Sequence, residues 1–84
     1  MNLTLLYFGR PKERLGVSKE SVDAPEAAST LSSLLTWLAL RGTDWAHELT
    51  EQPVRCAVNQ TFAEGATELK SGDEVAIFSP ISGG

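Results

Sequence analysis

The two glycines at the end of the printed sequence are its clearest candidates for chemistry. Gly83 and Gly84 contribute no side-chain packing, and a glycine loses more backbone freedom on ordering than any other residue. Because neither carries a Cβ atom, the pair can enter a channel that any side chain would block. The pair therefore predicts either a reactive arm that delivers a terminal carboxylate to a partner, or an ordinary frayed terminus.

A β-strand is predicted immediately before this arm. Residues 74–78, EVAIF, alternate so that Val75 and Ile77 share one face and Phe78 lies on the other. Pro80 stiffens the exit from the strand and removes one backbone donor. We therefore predict a domain at residues 1–78 and a flexible tail at residues 79–84. Gly84 is the predicted reactive group, and the residues that give it access are Gly83, Ser82, Ile81 and Pro80.

Composition narrows the class of protein. A chain of 84 residues makes one domain, and a domain of this size buries roughly 60% of its unfolded surface. The net charge is −4 and the basic residues form no patch, which argues against nucleic acid or anionic membrane as partner. One cysteine and one histidine predict no internal disulfide and no metal site. No signal peptide or membrane span is apparent, so we expect a cytoplasmic protein.

Hydrophobic periodicity predicts the elements of the first half. A largely apolar strand covers residues 2–8, a break at residues 9–11 and a polar connection at residues 12–16 follow, and residues 17–23 form a weak edge strand. A helix begins after Ser29 or Thr30, and Gly42 is placed to end it in a left-handed conformation. Its predicted buried stripe consists of Leu31, Leu34, Leu35 and Leu38.

The second half reads as a short helix and a hairpin before the last strand. Thr43 or Asp44 can cap the short helix. A strand at residues 54–59 turns through Asn59-Gln60 into a return strand at residues 61–63. Cys56 alternates with apolar residues and is expected in the core.

This order of elements predicts an α+β fold. Two hairpins flank one main helix, and the simplest packing is a mixed sheet with that helix across one face. The first strand is apolar on both sides and belongs in the middle, with the last strand beside it. This arrangement is that of a β-grasp, or ubiquitin-like, domain.

The motifs at the C-terminal end also resemble a known family. The residues that carry the resemblance are AVNQT at 57–61 and LKSGDEVAIFSPISGG at 69–84, together with an apolar first strand that ends in Phe8. The sequence is similar to the ubiquitin-like sulfur carriers, and among them to the small subunits of molybdopterin synthase. Ser79 stands where a first proline is common in that family.

The resemblance implies a chemistry and its partners. An adenylating enzyme of the ubiquitin-activating type would consume ATP to adenylate Gly84, whose carboxylate would then become a thiocarboxylate. The large subunit of molybdopterin synthase would receive the tail and transfer the sulfur to cyclic pyranopterin monophosphate, in a heterotetramer. No cofactor is expected to be held stably. The chain shows no self-contained active site, so it would act as the sulfur-donating subunit rather than as an enzyme alone.

Residues for partner contact also follow from the resemblance. The family places apolar contacts at positions that match Phe8, Phe62 and Phe78, although an isolated phenylalanine is more often part of the core. A basic contact after the first strand matches Lys12, with Arg10 as the other candidate. Asp73 and the residue after it either meet basic partner groups or belong to a solvated turn.

Two alternative functions remain open at this point. One is a sulfur carrier of the same fold that serves thiamine or amino-acid biosynthesis. The other is a non-conjugating binding module whose Gly-Gly ending is accidental, in which case deletion of Gly84 would leave function intact.

Overall fold

The computed structural model describes residues 1–80. Within that range, five strands and three α-helices form one mixed α and β unit. The elements are β1 (Asn2–Tyr7), α1 (Gly9–Leu15), β2 (Lys19–Asp23), α2 (Leu31–Ala39), α3 (Thr43–Ala46), a π-helix (His47–Glu51), β3 (Arg55–Val58), β4 (Thr61–Ala63) and β5 (Glu74–Phe78). No helix among residues 1–80 is long and apolar enough to cross a membrane.

The strands form one sheet in the order β2-β1-β5-β3-β4. The pair β1 and β5 is parallel, with Tyr7 opposite Ile77, and the other neighbouring pairs are antiparallel. The predicted α+β, β-grasp architecture is confirmed, and so is the prediction that the first and last strands are neighbours. The prediction that the first strand lies in the middle was wrong, because β5 pairs with both β1 and β3 and so is the middle strand of the five, with β1 next to it.

The core lies between one face of the sheet and α2. Alternate residues of β1 and β5 and the inner face of α2 are almost fully buried: Leu3, Leu5, Tyr7, Val75, Ile77, Leu31, Leu34 and Leu38. Leu35 was predicted to belong to this stripe, but it is only half-buried and lies in the wall of a surface cleft. Cys56 is buried in the core, as predicted.

The prediction for residues 9–16 was wrong. Where a break and a polar connection were expected, Gly9–Leu15 forms helix α1. Pro11 does not break this helix because it lies in the first turn, where its missing N–H is not needed, and its ring is buried. Gly16 ends the helix in a left-handed conformation (φ 71°), and its N–H donates to the Lys12 carbonyl at 2.9 Å.

The end of α2 also differs from the prediction. Thr30 caps its start, one of the two predicted choices, and exchanges side-chain hydrogen bonds with Ser33. The helix ends at Ala39 rather than at Gly42. Gly42 instead precedes α3 as its N-cap (φ 155°, ψ 178°), so neither Thr43 nor Asp44 takes that position. With no Cβ atom, glycine adopts this backbone conformation at little cost.

The β3–β4 hairpin follows the predicted residues. Asn59 and Gln60 both have positive φ angles, 51° and 69°, as the central residues of a two-residue type I′ turn do. The return strand is β4, which covers the predicted residues 61–63.

Candidate functional site

Strand β5 delivers the chain to the candidate site at its C-terminal end. The backbone N–H of Phe8 donates to the carbonyl of Ile77 at 2.9 Å, so the chain of β1 stays hydrogen-bonded to β5 as far as the penultimate residue of that strand. Ser79 and Pro80 follow and are half-buried. The predicted reactive residue and most of the predicted access residues lie outside the described residues: Gly84, Gly83, Ser82 and Ile81.

Three phenylalanines lie on strands β4 and β5 or directly after β1 in the same sheet, and we call them the aromatic patch: Phe8, Phe62 and Phe78. The exposed fractions are 76% for Phe62 and 50% for Phe8, whereas Phe78 is half-buried. The Phe62 and Phe78 rings pack with centroids 6.0 Å apart. Phe8 directly follows the Tyr7–Ile77 pair, as Phe78 does on the neighbouring strand. Residues so exposed are rarely left without a partner when they cluster, although the interface role itself stays a prediction.

The two basic residues of α1 that were predicted as partner contacts, Arg10 and Lys12, differ in their surroundings. Arg10 Nε lies 3.0 Å from Glu48 Oε1, and the Glu48 side chain is 4% exposed. Lys12 is exposed and forms no ion pair within residues 1–80. Arg10 thus neutralises a buried carboxylate, which leaves Lys12 as the better candidate for a partner contact.

A charged residue that the sequence analysis did not select lies next to the patch. Arg55 on β3 is directly opposite Phe78 on β5. It lines a cavity of about 240 Å³ together with Phe62, Phe78 and Pro80. The alternation of side chains along β3 predicts that Arg55 and Cys56 point to opposite faces of the sheet. The pairing of Arg55 with Phe78 depends on the strand register, which sequence alone does not give.

A larger cleft lies beside this cavity, between α2 and the β3–β4 hairpin. Its volume is about 660 Å³, and its walls include Leu35, Cys56, Phe62 and Pro80. Burial raises the pKa of the Cys56 thiol to about 11, so the thiol stays protonated and unreactive at neutral pH. Residues 1–80 contain no cluster of histidine, cysteine and carboxylate side chains that could hold a metal.

Asp73 is a structural residue rather than a partner contact or part of a solvated turn. It is buried and accepts from the Lys70 backbone N–H at 2.8 Å and from Asn59 Nδ2 at 2.9 Å. These two hydrogen bonds hold the pKa of its carboxyl below the usual value. Asn59 also accepts from the Glu74 N–H at 3.0 Å, so the hairpin turn is fastened to the start of β5.

A second polar cluster joins β1 and β2 to the end of α2. Tyr7 Oη donates to Glu20 Oε2 at 2.7 Å, and Arg41 Nη1 donates to the same oxygen at 2.8 Å. Burial raises the pKa of the Tyr7 hydroxyl. Burial opposes ionisation of Glu20, but the hydrogen bonds from Arg41 and Tyr7 outweigh it and lower the pKa of that carboxyl. Arg41 also lies over the Trp45 ring at 4.6 Å. Every group in this cluster is satisfied internally, which indicates a role in stability.

The fold and the exit beside the aromatic patch define a ubiquitin-like β-grasp domain. A model of the ThiS family matches residues 5–84, and the chain therefore belongs to the ThiS family. It is 32% identical to the molybdopterin synthase sulfur carrier subunit of Haemophilus influenzae, over 98% of this chain and 99% of that protein. It is 34% identical to the subunit of the same name in Escherichia coli, with the same two coverages.

A solved structure agrees with these sequence relatives. Subunit 1 of a molybdopterin converting factor from Pyrococcus furiosus superposes with a TM-score of 0.79 at 27% identity. The match covers 95% of this chain and 98% of that one. The similarity thus extends over the whole domain rather than over one motif.

Proposed function

We propose that this chain is a sulfur carrier of molybdenum cofactor biosynthesis, with the carboxyl group of Gly84 as the group that carries the sulfur. The observation that supports this most directly is the position of β5. The central strand of the sheet ends at Phe78, whose ring packs against Phe62, and the Gly-Gly ending begins five residues later. The names of the relatives in the ThiS family support the same proposal.

The proposed chemistry begins with activation of a poor electrophile. The Gly84 carboxylate carries a negative charge, and adenylation by ATP would convert it into a mixed anhydride with AMP as the leaving group. Sulfide would then displace AMP and give a thiocarboxylate directly. The terminal sulfur of a persulfide would instead displace AMP to give an acyl disulfide, and a thiol would cleave that S–S bond, leaving the thiocarboxylate on Gly84 and the other sulfur in a disulfide with the thiol. That sulfur is ionised at neutral pH and is a soft nucleophile, as thiolates are.

Two partners complete the proposal because no described residue supplies the catalysis. An adenylating enzyme of the ubiquitin-activating type would bind the tail first, and ATP would be consumed there. The large subunit of molybdopterin synthase would then bind the aromatic patch, admit residues 81–84 to its active site and receive sulfur onto cyclic pyranopterin monophosphate. We place both steps in the cytoplasm and the second in a heterotetramer. Lys12 is the proposed basic contact.

Intact-mass measurement tests the first step. The chain is incubated with the adenylating enzyme, ATP, a persulfide donor and a thiol that cleaves the acyl disulfide, and we expect the mass to rise by the exchange of one oxygen atom for sulfur. Omission of ATP should abolish the gain. A Cys56→Ala variant should still show it, which separates a thiocarboxylate from a persulfide on the buried thiol. An active adenylating enzyme that leaves the mass unchanged would refute the carrier role.

The second step separates this pathway from that of thiamine. The sulfur-loaded chain is mixed with the large subunit and cyclic pyranopterin monophosphate, and molybdopterin is assayed. Formation of molybdopterin in proportion to the loaded chain supports the proposal. A loaded chain that transfers sulfur only in a thiazole-forming reaction would assign it to thiamine biosynthesis instead.

A further inference from the structure

Arg55 is a charged residue beside the root of the tail, on the exposed face of the sheet. It is opposite Phe78 in the antiparallel β3–β5 pair, and directly opposed residues project from the same face. Among residues 1–80, the cavity of about 240 Å³ is lined by Arg55, Phe62, Phe78 and Pro80. The guanidinium is thus part of a small, otherwise apolar surface.

Two arginines of this domain have internal partners, whereas Arg55 has none among residues 1–80. Arg10 pairs with Glu48 at 3.0 Å and Arg41 with Glu20 at 2.8 Å. Arg55 forms no side-chain hydrogen bond or ion pair within the part of the chain that the structure describes. Its charge is therefore satisfied by water as long as the surface is open.

Docking of a partner on the aromatic patch would remove water from the Arg55 guanidinium. A partner that covers Phe62 and Phe78 must also cover Arg55, because all three line the same cavity. Loss of water from an unpaired charge is strongly unfavourable, and only a well-placed opposite charge compensates for it. The anionic side chains of proteins are carboxylates, which the planar guanidinium binds through two parallel hydrogen bonds.

We propose that Arg55 is a specificity-determining residue that pairs with an aspartate or glutamate side chain on the large subunit, at the rim of the channel that receives the tail. This inference rests on the proposed function. It makes Arg55 a means of choosing partners, because a partner with an apolar group at that point would leave the guanidinium buried and unpaired.

The direction in which one substitution changes the affinity for the large subunit tests the inference. Binding of the large subunit from the same organism is measured by titration calorimetry for the wild type and for Arg55→Leu. If a carboxylate faces Arg55, the leucine leaves that carboxylate buried without a cation, and we expect binding to weaken by about 30-fold or more. If no carboxylate is there, removal of a charge that must lose its water leaves affinity unchanged or improves it, which overturns the inference.

Two further variants serve as controls. Lys70→Glu reverses a charge at the turn before β5, at the opposite end of that strand, and should change affinity less than threefold. Arg55→Lys keeps the charge without the fork and should fall between the wild type and Arg55→Leu. Thermal melts of all variants check that the fold is intact, which we expect because Arg55 is exposed.

A charge exchange identifies the partner residue. In Arg55→Glu, binding should be lost, and replacement of one acidic residue of the large subunit by arginine should restore it. The effect of Arg55→Leu must also persist in a chain that lacks Gly83 and Gly84. If it disappears there, Arg55 acts on the chain's own tail, and the inference is wrong.

Failure of the inference is distinguishable from failure of the proposed function. Wild-type chain that binds the large subunit and yields molybdopterin, while Arg55→Leu binds equally well, rejects only the role of Arg55. Wild-type chain that neither binds nor transfers sulfur rejects both.

Discussion

The five residues of β5 point their side chains alternately to the two faces of the sheet, and these two faces have different roles. On the face toward α2, Val75 and Ile77 have no exposed surface. On the other face, Phe78 is half-buried and its ring packs against that of Phe62, which is largely exposed. One strand therefore belongs both to the core and to the candidate docking surface.

This difference shows how one strand of a small domain can belong to the core and still present side chains to a partner. Burial of alternate side chains fixes the strand in the middle of the sheet, where both of its edges are hydrogen-bonded. The other side chains need not contribute to the core, so they are available for a partner. The rigidity of the first face gives a defined origin to the chain that leaves after Phe78.

Removal of Gly84 should cause the largest change, and it should affect function alone. We expect sulfur loading and molybdopterin formation to fall to background, because the carboxylate is no longer at the end of the Gly-Gly arm. Mass spectrometry and the molybdopterin assay measure this. The melting temperature should match that of the wild type, and retained sulfur transfer would favour the non-conjugating binding module.

Ile77→Ala should destabilise the fold, because it removes a side chain from the face of β5 that packs in the core. The side chain is fully buried, and its loss should lower the free energy of unfolding by about 2–5 kcal/mol. Urea unfolding followed by circular dichroism measures the change. Ala76→Gly is the control, because Ala76 lies on the opposite face of the same strand. It should lower the free energy of unfolding by about 1 kcal/mol or less. Equal costs at the two positions would contradict the division of roles.

Phe78→Ala, on the other face of β5, should weaken partner binding more than it lowers the free energy of unfolding. We expect binding to the large subunit to weaken by about 1–3 kcal/mol, since aromatic residues at the centre of an interface dominate its energy. The unfolding free energy should fall less than for Ile77→Ala because Phe78 is only half-buried. Calorimetric titration and urea unfolding together provide the comparison. A larger effect on folding than on binding would move Phe78 to the core.

Two variants of α1, Arg10→Gln and Lys12→Gln, should distinguish a charge that stabilises the fold from a charge that contacts the partner. Arg10→Gln leaves the buried Glu48 carboxylate without its cation and should cost about 1–3 kcal/mol of unfolding free energy. Lys12→Gln should leave stability unchanged and should instead slow association with the large subunit at low salt. Stopped-flow association at two salt concentrations is the readout. The reverse pattern would select Arg10 as the contact.

The smallest effect we expect is a pH dependence at Asp73. Its folded pKa is lowered, so its contribution to stability is present above the unfolded pKa of about 3.9 and is lost as the pH falls through the lower folded value. The melting temperature of the wild type should exceed that of Asp73→Asn at pH 7, and the difference should shrink below pH 4. A difference that stays constant between pH 7 and pH 3 would show that the carboxylate charge is not the cause.

The sequence by itself determined the features that depend on neighbours along the chain. The alternation of β5 separates Ile77 from Phe78, because successive side chains of a strand point to opposite faces. Asn59-Gln60 tolerates the positive φ angles of a tight turn, and Thr30 can cap a helix whose apolar residues recur at helical spacing. The Gly-Gly ending and the motif before it indicated the family.

The tertiary structure decided the features that depend on residues far apart in the chain. Arg10 pairs with Glu48 across 38 positions, and Asp73 is buried because Asn59 reaches it from another turn. Helix α1 forms where a break was predicted, because Pro11 falls in the first turn and gains burial there. The position of Arg55 beside Phe78 depends on the register of β3 on β5, and packing of the whole sheet sets that register.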